Sequence, residues 1–209
     1  KLNIFDEAEF ILESAVLFDP SNTELKTDYV GILRKRQKLV EARDLALELY
    51  RDDERNLHMK SQYAVTSMQV GDYGTALELF EQLLAEMPGE PVTLTSKGHA
   101  LKTVGQTDAA IECYREACRE GIIHGEAWQS LANLKTYRFT DSEIDRMEEL
   151  SRLPTLRSFD RVYLFFALGK AYEDRGSYDI AFKRYSDGNH IKRSESRYIV
   201  EHMPEEFEE

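Results

Sequence analysis

A chain of 209 residues, 42% apolar and 32% charged, has the composition of a folded protein of one or two domains and not of a disordered segment. Its formal net charge of −12 repels phosphate backbones and anionic lipid, so nucleic acid and membrane are excluded as partners for the surface as a whole. No apolar run approaches the ~18 residues of a membrane span, and the opening KLNIFDEAEF has neither the basic start nor the apolar stretch of a secretory leader, so a cytoplasmic protein is expected.

The first predicted element, in residues 1–21, is a helix with Ala8, Leu12 and Ala15 on one face, ended by Pro20. The same phrase then returns. Ala42, Ala76 and Ala110 each follow the previous alanine by 34 residues, and Ala181 lies two such intervals further on with three residues inserted. Four places after each alanine stands Ala46, Phe80, Tyr114 or Tyr185, and seven after stands Leu49, Leu83, Ala117 or Gly188, so each segment is a helix with one apolar stripe. Five places before each alanine stands Gln37, Gly71, Gly105 or Gly176, a turn position at which glycine accepts the left-handed conformation cheaply.

A second periodic segment precedes each turn, marked by Leu94, Gly98 and Leu101, by Trp128, Leu131 and Ala132, and by Phe165, Leu168, Gly169 and Tyr172. The predicted units are therefore helix–turn–helix pairs at 23–56, 57–90, 91–124, 125–161 and 162–195, with 1–21 as the second helix of a partial unit whose first helix would lie upstream. Pro88 stops one second helix, and Pro91 suits the first turn of the next first helix. The unit at 125–161 is irregular: Thr140 to Glu143 spell a capping box before a short helix with Ile144, Met147 and Leu150 that stops by Pro154. Cys113 and Cys118, five places apart on one expected helix, point in different directions and read as two buried thiols, not a disulfide or metal pair. Residues 196–209 form an acidic tail or linker, frayed or docked through Tyr198, Ile199, Val200 and Met203. The expected fold is all-α: an α-α superhelix, a solenoid of antiparallel helix pairs.

These residues resemble the tetratricopeptide repeat, whose pattern runs W-x2-L-G-x2-Y, then A-x3-F, then P. The unit at 162–195 matches closely through Phe165, Leu168, Gly169, Tyr172, Ala181 and Tyr185; the unit at 57–90 matches through Ala76, Phe80 and Pro88 but has Tyr63 and Ala64 in the Leu-Gly places. A narrower likeness covers residues 125–150 and 166–189, which look like the segment preceding the catalytic domain in bacterial tetratricopeptide-repeat sulfotransferases, with SLANLKTYRF its least generic part. That likeness implies a following domain that uses 3′-phosphoadenylyl sulfate. This chain itself shows no cofactor site: its nearest Gly-rich stretch, GIIHG at 121–125, lies between helices without an adjacent Lys or Arg.

In tetratricopeptide repeats the first helices line a concave groove through places 2, 5, 9, 12 and 13 of each unit. Carried over, the likeness implies a groove of Arg34, Lys35, Met68, Gln69, Thr95, His99, Lys102, Gln129 and Asn133, with His58 and Thr103 nearby and Glu24 and Glu126 as its acids. The expected partner is a protein or an acidic or carboxylate-ended peptide, or an adjoining domain of the same polypeptide. The carboxylate clamp of chaperone-docking repeats needs Lys at place 5, where Thr27, Ser61, Thr95 and Gln129 stand instead. His58, His99, His124, His190 and His202 form no HxxxH or HExxH pair, and no catalytic residue or metal site emerges, so a non-enzymatic interaction module is expected.

Overall fold

The computed structural model describes residues 2–119 and 121–195; the acidic segment 196–209 lies outside them. Among the described residues every regular element is a helix: α1 (Leu2–Phe18), α2 (Thr23–Lys35), α3 (Leu39–Asp52), α4 (Leu57–Val70), α5 (Tyr73–Glu86), α6 (Pro91–Thr103), α7 (Thr107–Ala117), α8 (Gly125–Ala132), α9 (Asp141–Ser151), α10 (Ser158–Asp174) and α11 (Tyr178–Glu195). They fall into two compact units that divide between Glu116 and Ala117.

Five of the helix starts, those of α2, α4, α5, α6 and α9, have a local chemical reason. The Asn22 side chain accepts from the Leu25 N–H at 3.1 Å, Asn56 from His58 at 3.0 Å, and Asp72 from Thr75 at 3.2 Å, each satisfying a donor with no partner in its own helix. Glu90 does the same for α6, with Pro91 at its first position. The capping box at Thr140 and Glu143 is present in full. The turns between paired helices close on left-handed residues, with φ of 89° at Gly71, 85° at Gly105 and 74° at Gly176. Gln37 takes the same place at φ 62° and carries a side chain in a conformation that disfavours one.

In the first unit α3 lies between α2 and α4, and α5 between α4 and α6. Their shared faces bury Val30, Ala42, Ala46 and Leu49 in one cluster and Ala64, Ala76, Phe80 and Leu83 in the next. Small and large residues share these clusters, Ala46 with Val30 and Ala64 with Phe80, and Gly98 faces Tyr114 directly, whose ring would come within 2.4 Å of a Cβ at position 98. Leu94 has its counterparts 34 and 68 residues upstream in Lys60 and Lys26. Both lysine stems are buried, and their ammonium groups reach Glu86 at 2.8 Å and Glu48 at 2.6 Å.

The second unit departs from the regular pairing. The 17-residue α10 packs against α8, α9 and α11. Gly125 opens α8 directly on the backbone of α10: a Cβ there would stand 2.5 Å from the Asp160 carbonyl oxygen. The buried Asp160 carboxylate accepts from the Gly125 N–H at 2.9 Å and from Arg157 Nε at 2.9 Å, fastening the start of one helix to the start of the other. Buried Glu148 of α9 is held by Arg184 of α11 at 2.6 Å and by the Tyr172 hydroxyl at 3.2 Å. The cysteines differ from expectation in two respects: α7 ends at Ala117, so Cys118, buried as expected, lies just past the helix, and Cys113 is only half-buried. Both are free, and burial pushes both thiols above the ordinary range, which keeps them protonated and unreactive at neutral pH.

Candidate functional site

The first helices of the first unit carry seven of the nine residues expected in a groove. Two of them meet directly: Arg34 Nε on α2 donates to Gln69 Oε1 on α4 at 2.8 Å, and burial pulls the Arg34 guanidinium below its usual pKa without discharging it. Lys35 is exposed, with its ammonium 5.6 Å from the centre of the Phe5 ring on α1. Met68 is half-buried against the α4–α5 cluster, so part of it belongs to the core. Thr95 is 2% exposed, and its hydroxyl donates to the Pro91 carbonyl at 2.8 Å; it lines no open surface. His99 is half-buried with its ring 5.6 Å from that of Tyr114, and Lys102 is exposed at the end of α6.

In the second unit Gln129 and Asn133 share a cleft of about 420 Å³ with Lys135, Phe166, Lys170 and Tyr185. Its charges are unevenly engaged. Lys170 is bonded to Asp174, which also lies 3.3 Å from Arg138. The Tyr185 hydroxyl donates to Glu173 at 2.9 Å; burial, then that carboxylate, pushes its pKa up and keeps it a neutral donor. The Lys135 ammonium has no ion-pair partner among the described residues. The cleft thus offers one uncommitted cation, two side-chain amides and an aromatic wall, a set suited to a carboxylate beside an apolar group.

Sequence reasoning missed Lys135, Phe166 and Lys170 altogether and placed Ala132 and Tyr185 only in the packing between helices, not in a cleft. A signal existed for two of them: Phe166 and Lys170 occupy places 5 and 9 of the 162–195 unit, as Gln129 and Asn133 do in the 125–161 unit. Lys135 lies beyond the end of α8, where no helical period can locate a side chain. Among the described residues no group of His, Cys, Asp or Glu is arranged to hold a metal ion. No helix there is long and apolar enough to cross a membrane.

Stacked two-helix pairs, matched small against large at a fixed interval, define a helical-repeat protein. The sequence model of the tetratricopeptide repeat matches residues 5–121, more than half of the 209, and the chain belongs to that family. Among solved structures it resembles BtubC from P. vanneervenii, at 16% identity over 95% of this chain and 92% of that one, with a TM-score of 0.60. It also resembles MamA RS-1, in a double-mutant form, at 16% identity over 85% of this chain and 98% of that one, with a TM-score of 0.55. At such identities the likeness is one of fold. A search of the curated proteins finds no significant match.

Proposed function

We propose that this chain is a protein-interaction scaffold whose second unit takes a carboxylate-bearing peptide. The observation that supports this reading is the convergence of Lys135, Gln129, Asn133 and Phe166 on one cleft. A carboxylate placed there gains a charge-assisted bond from Lys135 and neutral ones from the amides, while a neighbouring apolar side chain packs on Phe166. Arg34, Lys35, Gln69, His99 and Lys102 give the first unit a polar, mildly basic surface on a chain of net charge −12, which favours acidic partners there as well. In this reading the chain has no catalytic residue and holds no cofactor.

Calorimetric titration with acidic peptides that end in a free or an amidated carboxylate tests it. Binding should weaken as salt rises, because charges are screened over ~10 Å at 0.1 M, and Lys135→Glu should weaken it by about tenfold or more. Equal affinity for the original chain and Lys135→Glu, or no binding of any acidic peptide, overturns the reading.

A second reading rests on residues 125–150 and 166–189, which look like the repeat region of bacterial tetratricopeptide-repeat sulfotransferases. There the partner is an adjoining domain of the same polypeptide, and any 3′-phosphoadenylyl sulfate site belongs to that domain. The downstream coding sequence tests it: a strand, a Gly- and Ser/Thr-rich turn and a helix support it, and an immediate stop codon overturns it.

A further inference from the structure

The two ends of the second-unit cleft differ in charge. Both its walls are helices of that unit, and Asp160 fastens the start of α8 to the start of α10 through the Gly125 N–H. Residues at equal steps from those starts therefore stand level: Gln129 with Phe166 and Asn133 with Lys170, as the cleft shows. One turn earlier on the same faces come Glu126 and Tyr163. Burial, and after it the charge of Glu126, pushes the Tyr163 hydroxyl above the ordinary phenol range. The Phe159 ring follows at 6.2 Å from that of Tyr163. The neighbouring carboxylates are engaged: Asp160 with Arg157, Asp174 with Lys170 and Arg138, and Glu173 with the Tyr185 hydroxyl. Glu126 is half-buried and has no ion-pair partner among the described residues, so this face ends in an uncommitted anion as it ends in the uncommitted Lys135. At ~1.5 Å per residue of helix, Glu126 lies about 10 Å before Asn133 along α8. An extended chain covers that distance in about three residues, at ~3.3 Å each.

We propose that the cleft selects a dipolar chain terminus: a free carboxylate at Asn133 and Lys135, an apolar side chain against Phe166, and a lysine or arginine about three residues before the carboxylate, beside Glu126. This selection rests on the carboxylate reading given above for the same cleft and adds what must precede the carboxylate. Successive side chains of an extended chain point to opposite sides, so a cation turned to the α8 wall leaves its apolar neighbour turned to the α10 wall. The stem of the cation packs on the Tyr163 ring while its charged end reaches Glu126. The pattern also fixes direction. A ligand lying the other way would set its carboxylate against Glu126 and its cation against Lys135, two like-charge contacts, so the terminus runs toward the C-terminal end of α8.

The probes are fluorescein-labelled hexapeptides with a free terminal carboxylate and leucine two residues before the last, carrying lysine, alanine or glutamate three residues before it. Titrated with the full chain and read by fluorescence anisotropy, the lysine peptide should bind about three- to fivefold tighter than the alanine peptide, and the glutamate peptide more weakly than either. Glu126→Gln, which keeps the shape of the side chain, should erase these differences, and Glu126→Lys should reverse them. Lys135→Glu should weaken all three peptides alike. Equal affinity for the lysine and alanine peptides overturns the proposal. So does a lysine preference that survives in Glu126→Gln, since it would come from the net charge of −12. In both of those outcomes a loss of affinity in Lys135→Glu leaves the carboxylate reading standing. Failure of all three peptides to bind overturns that reading and the proposal together.

Discussion

Gly98→Ala puts a methyl group where the structure has no room for one. The added Cβ would stand 2.4 Å from Cε1, 2.8 Å from Cδ1 and 2.9 Å from Cζ of Tyr114, a ring that is 0% exposed and cannot swing into solvent. Overpacking of this kind costs about 1–3 kcal/mol, and a contact this short belongs to the upper part of that range. The exchange also removes a glycine from the interior of a helix, which returns about 1 kcal/mol. The net expectation is a loss of about 1–2 kcal/mol, a fall in the melting midpoint of about 2–8 °C at 2–4 °C per kcal/mol for a chain of this size. Gly31→Ala is the internal control: it makes the same chemical change in a helix with nothing within 4 Å, so it should raise the midpoint. Thermal unfolding followed by far-UV circular dichroism reads both. If Gly98→Ala melts as high as Gly31→Ala, the backbone-to-ring contact is not what sets the spacing of these helices. Tyr114→Leu, which removes the ring, should make a following Gly98→Ala much less costly, a non-additivity that an unrelated cause would not produce.

Gln37→Gly relieves a side chain held at φ 62°, a conformation that costs an L-residue about 1–2 kcal/mol, and should raise the urea midpoint despite losing the weak 3.4 Å bond to the Arg34 carbonyl. Lys60→Met keeps the buried stem and leaves Glu86 half in water, so it should change stability by less than about 1.5 kcal/mol. Lys60→Ala empties the same space and should cost about 1–3 kcal/mol in the same denaturation experiment. Glu9 of α1 is held below the ordinary carboxylate range, first by its hydrogen bond from Lys38 and then by Arg36. Its folded pKa is depressed, so the stability it gives α1 is complete above about pH 4.5 and lost as the pH falls below that value; in Glu9→Gln, protease cleavage within α1 should lose this acid dependence. Lys38 is raised above 10.5 by the same bond, so its share persists below that pH and is lost as the pH rises through the folded value.

The repeat was legible because each unit buries the same places. Stacking forces a small residue to face a large one at every interval, and that demand leaves Ala42, Ala76 and Ala110 evenly spaced in the chain. The turns were legible for a local reason, since only a few residues tolerate positive φ; Gln37 could be placed by period alone, against its own preference. Lys26 and Lys60 were not legible. A lysine in an apolar place is accepted only when a carboxylate stands at the end of its stem, and Glu48 and Glu86 come within reach only through packing.

The candidate surfaces divide in the same way. The likeness to the repeat implied Gln129 and Asn133 as groove residues, and the same places in the 162–195 unit reach Phe166 and Lys170. It could not tell that Thr95 is closed off by its neighbours or that Arg34 is engaged by Gln69, because period fixes the direction of a side chain and not what lies against it. By itself the amino-acid order determined the family, the helix pairs and the faces they bury, all set by local periodicity and turn chemistry. Only the tertiary structure decided which polar groups are left uncommitted, since that depends on charges brought together from helices far apart in the chain.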